Sequence, residues 1–223
     1  MERRDTHASE LTVRIRTGAL LTLILLGAFQ ARQVPGILEG LSTLLGLLGC
    51  FELLRAMGLL QGRWGWLVYA GTALCCLLFP LYIPRLPIPV LPFAACVLTD
   101  AAAYFGGKAL GKKQLAPLIS PHKTVAGSLC GTLAATVLLW LVGFLLQAWL
   151  HRPVYVSRLS LYGYTASLLG QLGDLVFSQV KRRAGIKDYS RLLPGHGGLL
   201  DRFDSALFVL PYTVVFLWYL PLL

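Results

Sequence analysis

Seven stretches of this chain run near the length of a bilayer span with few charges, and that patterning leaves few ways to fold it. They lie at about 18 to 32, 35 to 54, 64 to 83, 87 to 106, 124 to 150, 159 to 178 and 203 to 223, with Gly, Pro and charged residues in the gaps. A helix needs roughly 20 apolar residues to cross the hydrocarbon core. A water-soluble fold of 223 residues with 56% hydrophobic and 13% charged content would be left with large apolar patches on its surface. The expected fold class is therefore all-α, a polytopic transmembrane bundle of about seven membrane-spanning helices.

A formal net charge of +10 would make nucleic acid a partner to consider in a soluble protein. Here the cations sit in short segments between apolar runs, the distribution expected of cytoplasmic loops, anionic headgroups and phosphate ligands, so no nucleic-acid partner is expected. With an odd number of crossings and the N-terminus inside, sixteen of the twenty Lys and Arg residues fall on the inner side, leaving Arg32, Arg85, Arg152 and Arg158 outside. The positive-inside rule then predicts an integral protein of the cell (inner) membrane with its active site facing the cytoplasm. Arg3, Arg4, Arg14 and Arg16 precede the first apolar run without a prompt A-x-A-like cleavage site, which reads as a retained signal anchor. The five cysteines, Cys50, Cys75, Cys76, Cys96 and Cys130, lie within apolar stretches with no CxxC pair, and read as small buried hydrophobes.

The two halves differ in kind. Residues 1–91 are rich in Leu and Gly with Glu39 and Glu52 as the acids of their apolar runs, and read as an N-terminal transmembrane scaffold. Residues 92–223 read as a catalytic transmembrane region, because their apolar runs carry Asp, Ser, Thr and Lys at membrane depth, where a charge costs roughly 2.5 to 3.5 kcal/mol on insertion scales.

Four motifs in that region carry chemistry. In D-A-A-A-Y-F-G-G-K-A-L-G, Asp100 and Tyr104 share a helix face, and the small residues let a neighbouring helix approach; a purely structural buried Asp is the plainer alternative. I-S-P-H-K-T-V-A-G has the grammar of a helix start, with Ser120 as N-cap, Pro121 at the first helical position, and Lys123 and Thr124 in the first turn. Cations there oppose the helix macrodipole unless an anion docks among them, and a phosphate would fit; a positive-inside cap is the alternative. In G-Q-L-G-D-L-V-F-S-Q-V-K-R-R, Asp174, Ser178 and Lys181 form one helical stripe, while Arg182 and Lys187 continue the basic character. Finally, L-P-G-H-G-G-L-L-D-R-F-D-S places a glycine turn with His196 before Asp201, Arg202 and Asp204. Two acids three apart on one face repel each other, and a divalent cation reverses that penalty. Carboxylate ligands bordered by phosphate-binding cations suit Mg²⁺, which binds through one or two carboxylates plus substrate phosphates. Asp174, Asp201 and Asp204 are the expected metal ligands.

The run from Ser178 to Asp204 resembles the C-terminal signature of phosphatidate cytidylyltransferases, also called CDP-diacylglycerol synthases, and the D-A-A-A-Y-F-G-G and S-P-H-K-T-V-A-G segments are similar to that family in order and spacing. The resemblance covers about residues 92 to 205. It implies Mg²⁺-dependent transfer of a cytidylyl group from CTP to phosphatidic acid in phospholipid biosynthesis, with a monovalent cation such as K⁺ associated with the site. On that basis Asp174, Ser178, Lys181 and Asp204 are expected to be catalytic, and Ser120, Lys123, Thr124, Arg182, Lys187, His196, Arg202 and Asp100 to bind substrate and its phosphates. Two positions depart from the family pattern: His122 stands where Lys is frequent, and Phe177, read as facing lipid, where Glu is frequent. An ether-linked lipid phosphate is a rival substrate, a transporter or scramblase a rival class, and a homodimer an assembly left open.

Overall fold

The computed structural model describes residues 36–57, 90–150, 153–190, 192–194 and 197–222, with isolated positions 23, 27, 70, 71, 73 and 74. Those isolated positions aside, the expected signal anchor, the crossings at 18 to 32 and 64 to 83, Cys75, Cys76, Arg32, Arg85, Arg152 and His196 lie outside the described residues. The described elements are α1 (Ile37–Met57), α2 (Val90–Leu110), β1 (Gln114–Ala116), β2 (Ser120–Thr124), α3 (Val125–Leu150), α4 (Val156–Arg183) and α5 (Leu200–Tyr219). They form two compact units. The first joins the described part of Met1–Pro84 to Val180–Phe203, and the second joins the described part of Arg85–Gln179 to Asp204–Leu223.

The architecture is mostly helical, as the apolar periodicity predicts. Among the described residues two helices, α2 and the Val125–Ala148 part of α3, are long and apolar enough to cross a membrane. The surface of α3 shows which way such a helix is built. Gly127, Gly131, Ala135 and Leu139 are buried at intervals of four, while Leu129, Leu133, Val137, Leu141 and Phe144 are left uncovered on the opposite side. A helix in water would not keep that second stripe bare, whereas lipid covers it without cost. This is a membrane protein.

Close approach of α2 and α3 follows from the small residues. A Cβ added at Gly106 would collide with Cys130, one at Gly127 would lie 2.6 Å from the Ala103 carbonyl oxygen, and one at Gly131 would lie 2.8 Å from that of Thr99. The G-x-x-x-G spacing of Gly127 and Gly131 on one helix meets Ala103 and Gly107 on the other, the arrangement that lets backbones pack tightly where no hydrophobic force drives helices together. Polar contacts join α3 to α4: the Gln171 side-chain carbonyl accepts from Ser128 Oγ, and its amide nitrogen donates to Thr132 Oγ1 at 2.9 Å and Ser167 Oγ at 3.2 Å. Tyr162 and Thr213 share a buried hydroxyl pair at 2.7 Å between α4 and α5.

The segment Ser120–Thr124 corrects two expectations. It is a strand rather than the start of a helix, and it pairs with β1 in an antiparallel hairpin, so the described fold is not purely α. Pro117 follows Ala116, whose carbonyl accepts the Ile119 amide at 3.1 Å, which is the position a turn reserves for proline. Pro121 has no N–H to give and sits where the register between the two strands shifts. The N-cap is Thr124 and not Ser120: Thr124 Oγ1 accepts the Gly127 amide at 3.0 Å, three residues into α3. Phe177 is also corrected. It is 0% exposed and packs edge-on against Phe208, with ring centroids 6.2 Å apart, instead of facing lipid.

Candidate active site

The second unit holds a cavity of about 600 Å³ where the hairpin meets the second half of α2, the start of α3 and the Gln171–Asp174 turn of α4. Its polar wall is made by Asp100, Tyr104 and Lys108 from α2, Ser120, His122, Lys123 and Thr124 from β2, Ser128 from α3, and Gln171 and Asp174 from α4. The helical spacing of Asp100 and Tyr104 does bring both to one face. Alternate residues of a regular strand point to opposite sides, and the pairing here is irregular, with the register shifting between Gln114 and Ala116; Ser120, His122, Lys123 and Thr124 all line the hollow.

At its centre the Lys123 ammonium donates to Asp174 Oδ2, and Ser178 Oγ donates to Asp174 Oδ1 at 3.2 Å. The i, i+4 spacing of Asp174 and Ser178 therefore makes the contact that the stripe predicts. A cation beside the N-terminus of α3 needs an anion, and Asp174 supplies one from the neighbouring helix. Lys123 and Asp174 are both about one-quarter exposed, so each is within reach of a ligand entering the cavity.

Asp204 belongs to the same unit. Its Oδ1 accepts the Ser205 amide at 2.7 Å, and an added Cβ at Gly173 would sit 3.1 Å from its carbonyl oxygen, so α4 and α5 approach closely beside Asp174 and Asp204. Among the described residues, no three His, Cys, Asp or Glu side chains gather into a metal-binding group. The donor chemistry of Asp174 and Asp204 nevertheless fits Mg²⁺, since both are carboxylate oxygen donors and this ion takes one or two carboxylates and completes its shell with water and phosphate.

In the first unit a separate cluster surrounds the glycine turn. Asp201 is 4% exposed and accepts three hydrogen bonds: from Lys181 Nζ at 2.7 Å, from the Tyr189 amide at 2.9 Å and from the Gly198 amide at 2.9 Å. Lys181 also lies 5.5 Å from the centre of the Tyr189 ring. Leu193 donates its amide to the Gly197 carbonyl at 2.9 Å, closing the turn, and Gly197 has a φ of 81°, which only glycine adopts readily. Arg182, Lys187 and Arg202 are exposed around this cluster.

The residue that sequence reasoning missed is Glu52. It is 2% exposed, and its carboxylate accepts Ser190 Oγ at 2.5 Å, the Leu199 amide at 2.9 Å and the Leu200 amide at 2.7 Å. A Cβ at Gly198 would meet both Glu52 oxygens within 2.9 Å and push the carboxylate off its hydrogen bonds. The space left by the missing side chain is filled by the Glu52 carboxylate. The signal was present: an acid in the run L-L-G-C-F-E-L-L is costly at membrane depth and marks a partner elsewhere.

A phosphatidate cytidylyltransferase of Bacillus subtilis (strain 168) is 51% identical over 124 residues, which is 54% of this chain and 44% of that protein. One from Staphylococcus haemolyticus (strain JCSC1435) is 46% identical over 129 residues, 56% of this chain and 46% of the relative, and one from Staphylococcus aureus (strain COL) is 46% identical over 124 residues, 54% and 45% respectively. The chain spans about half the length of the curated relatives it matches. The model of the cytidylyltransferase family matches residues 21–220, nearly the whole sequence, and the chain therefore belongs to that family.

Proposed function

We propose that this membrane protein transfers the cytidylyl group of CTP to phosphatidic acid, forming CDP-diacylglycerol and releasing pyrophosphate. The observation that carries the reading is the cavity of the second unit, in which a lysine and two hydroxyls from a strand face two carboxylates beside the ends of two apolar helices. Such a hollow, at the end of membrane-length helices, suits a nucleotide arriving from water and a phosphate already in the bilayer. The names of the similar proteins support the same reaction.

A phosphatidate oxygen bonds to the α-phosphorus of CTP while the bond from that phosphorus to the bridging oxygen of the β-phosphate breaks, and the electron pair departs with pyrophosphate. The attacking phosphate is already anionic, so no general base is required; the protein's task is positioning and charge stabilisation. Lys123 gives its ammonium to phosphate oxygens as it leaves Asp174, and the Ser120 and Thr124 hydroxyls donate beside it. Ser178 holds Asp174 in place, and Asp100 orients substrate groups across the hollow. Arg182, Lys187 and Arg202 attract the anionic substrates, the same role being assigned to His196. In the first unit, Lys181 and Asp201 act as a pair, and the metal role that the resemblance implies for Asp201 requires it to exchange Lys181 for a cation. Asp174 and Asp204 would hold Mg²⁺, with K⁺ as a monovalent companion, and the ion would neutralise the triphosphate charge.

The same reading places the protein in the cell membrane by seven crossings, with the cavity towards the cytoplasm; the inward excess of Lys and Arg supports it. The test is incubation of the purified full chain in detergent with radiolabelled CTP, Mg²⁺ and phosphatidic acid. Label is expected in the organic phase as CDP-diacylglycerol, and label that stays wholly aqueous overturns the proposal.

A further inference from the structure

Helix α1, the first of the described helices, contributes one buried carboxylate to the loop that precedes Asp201, and nothing in the proposed reaction uses it. Carrying a charged group to 2% exposure is costly unless every lone pair it needs is satisfied. Glu52 meets that condition with donors from one short segment: the Ser190 hydroxyl, and the amides of Leu199 and Leu200. Leu200 is the first residue of α5, so the carboxylate occupies the site where a helix leaves amides without intrahelical partners and where negative charge is favoured. Asp201 is the next residue, held from the other side by Lys181, Tyr189 and Gly198. Gly197 in its left-handed conformation and Gly198 without a Cβ are what allow the main chain to pass between the two acids.

We infer that Glu52 is a positioning residue of the cytidylyl transfer: it holds the 198–200 turn and the first turn of α5, and thereby sets where Asp201 and its Lys181 partner stand. This rests on the function proposed above. Outer groups that fix a functional carboxylate commonly change activity by roughly 10- to 100-fold when removed. Helix α1 is then part of the working machinery and more than a membrane scaffold.

The experiment compares full-length wild type, Glu52→Ala, Glu52→Gln, Glu52→Asp and Glu39→Gln, reading both turnover with CTP and phosphatidic acid and amide hydrogen exchange in detergent. Glu52→Ala is expected to lower kcat by about 10- to 100-fold with KM for CTP within about threefold, and to speed exchange at Leu199 and Leu200 while α3 stays protected. Glu52→Gln keeps one acceptor oxygen but turns an NH₂ towards a backbone donor, so it recovers part of the loss, and Glu52→Asp, which keeps the charge on a shorter arm, recovers part as well. Glu39 is exposed on the same helix, and Glu39→Gln is expected to match wild type. Unchanged exchange at 199–200, or unchanged kcat, in Glu52→Ala overturns the inference; if that variant does not fold, the same two readings on Glu52→Gln decide it. A wild-type protein that makes no CDP-diacylglycerol defeats the proposed function instead, while the exchange comparison still reads whether Glu52 holds the turn.

Discussion

In the proposed reaction one residue pair, Lys123 and Asp174, serves both a resting and a working state. A lysine in front of a helix N-terminus and an aspartate within a neighbouring helix are each unfavourable alone, and together they cancel. Both are only partly buried, so the pair can open for phosphate without a change of fold. Asn at position 174 keeps the size of the side chain and removes its charge, leaving Lys123 without its anion. We expect Asp174→Asn to lower kcat by roughly two to three orders of magnitude, the scale of losing one well-placed electrostatic group, with the helical circular dichroism signal unchanged. Steady-state assay of the purified variant checks this, and near-normal turnover would remove Asp174 from the proposed chemistry. Asp174 and its contact with Ser178 were legible from spacing, whereas the choice of Lys123 as partner was not, since 51 residues separate the two.

The hairpin between α2 and α3 is the element that turns two apolar helices into a site. Without it Ser120, Lys123 and Thr124 would lie in a helical first turn, with their side chains fanned around an axis; as a strand they line one wall of the cavity. The signals that pointed to a helix start were real but shifted by four residues: a hydroxyl residue is the cap, and it is Thr124. Proline was the ambiguous sign, because it suits the first turn of a helix and the edge of a sheet equally. Thr124→Ala is expected to cost about 1 kcal/mol through loss of the cap, and Thr124→Ser to retain most of it. Thermal unfolding of the purified protein in one detergent measures both, and equal melting temperatures for Ala and Ser would show that the hydroxyl does not cap α3.

For the whole molecule, the proposed orientation makes a directional prediction. Leu118 at the tip of the hairpin is 93% exposed and lies between the ends of α2 and α3, which among the described residues are the helices suited to crossing. A cysteine placed there by Leu118→Cys is expected to react with a membrane-impermeant maleimide in inside-out vesicles and to be protected in right-side-out ones. The reverse pattern would turn the cavity away from the cytoplasm, where the nucleotide is. The two free cysteines on the same pair of helices, Cys96 and Cys130, are buried and half-buried, and the labelling of wild type sets the background.

Local chemistry accounts for what the amino-acid order determined unaided. Apolar runs of bilayer length, small residues at helical spacing, and an aspartate with a serine four residues on are short-range patterns, and helix geometry converts them into α2, α3 and the Asp174–Ser178 contact with no reference to the rest of the chain. Tertiary structure decided which distant group answers each unsatisfied charge. Glu52 and the 199–200 amides are 147 and 148 residues apart, Lys181 and Asp201 meet across a turn of 20, and Phe177 is buried because Phe208 happens to pack there. A buried charge states that a partner must exist; only the packing of helices, which depends on every side chain between them at once, states which one it is.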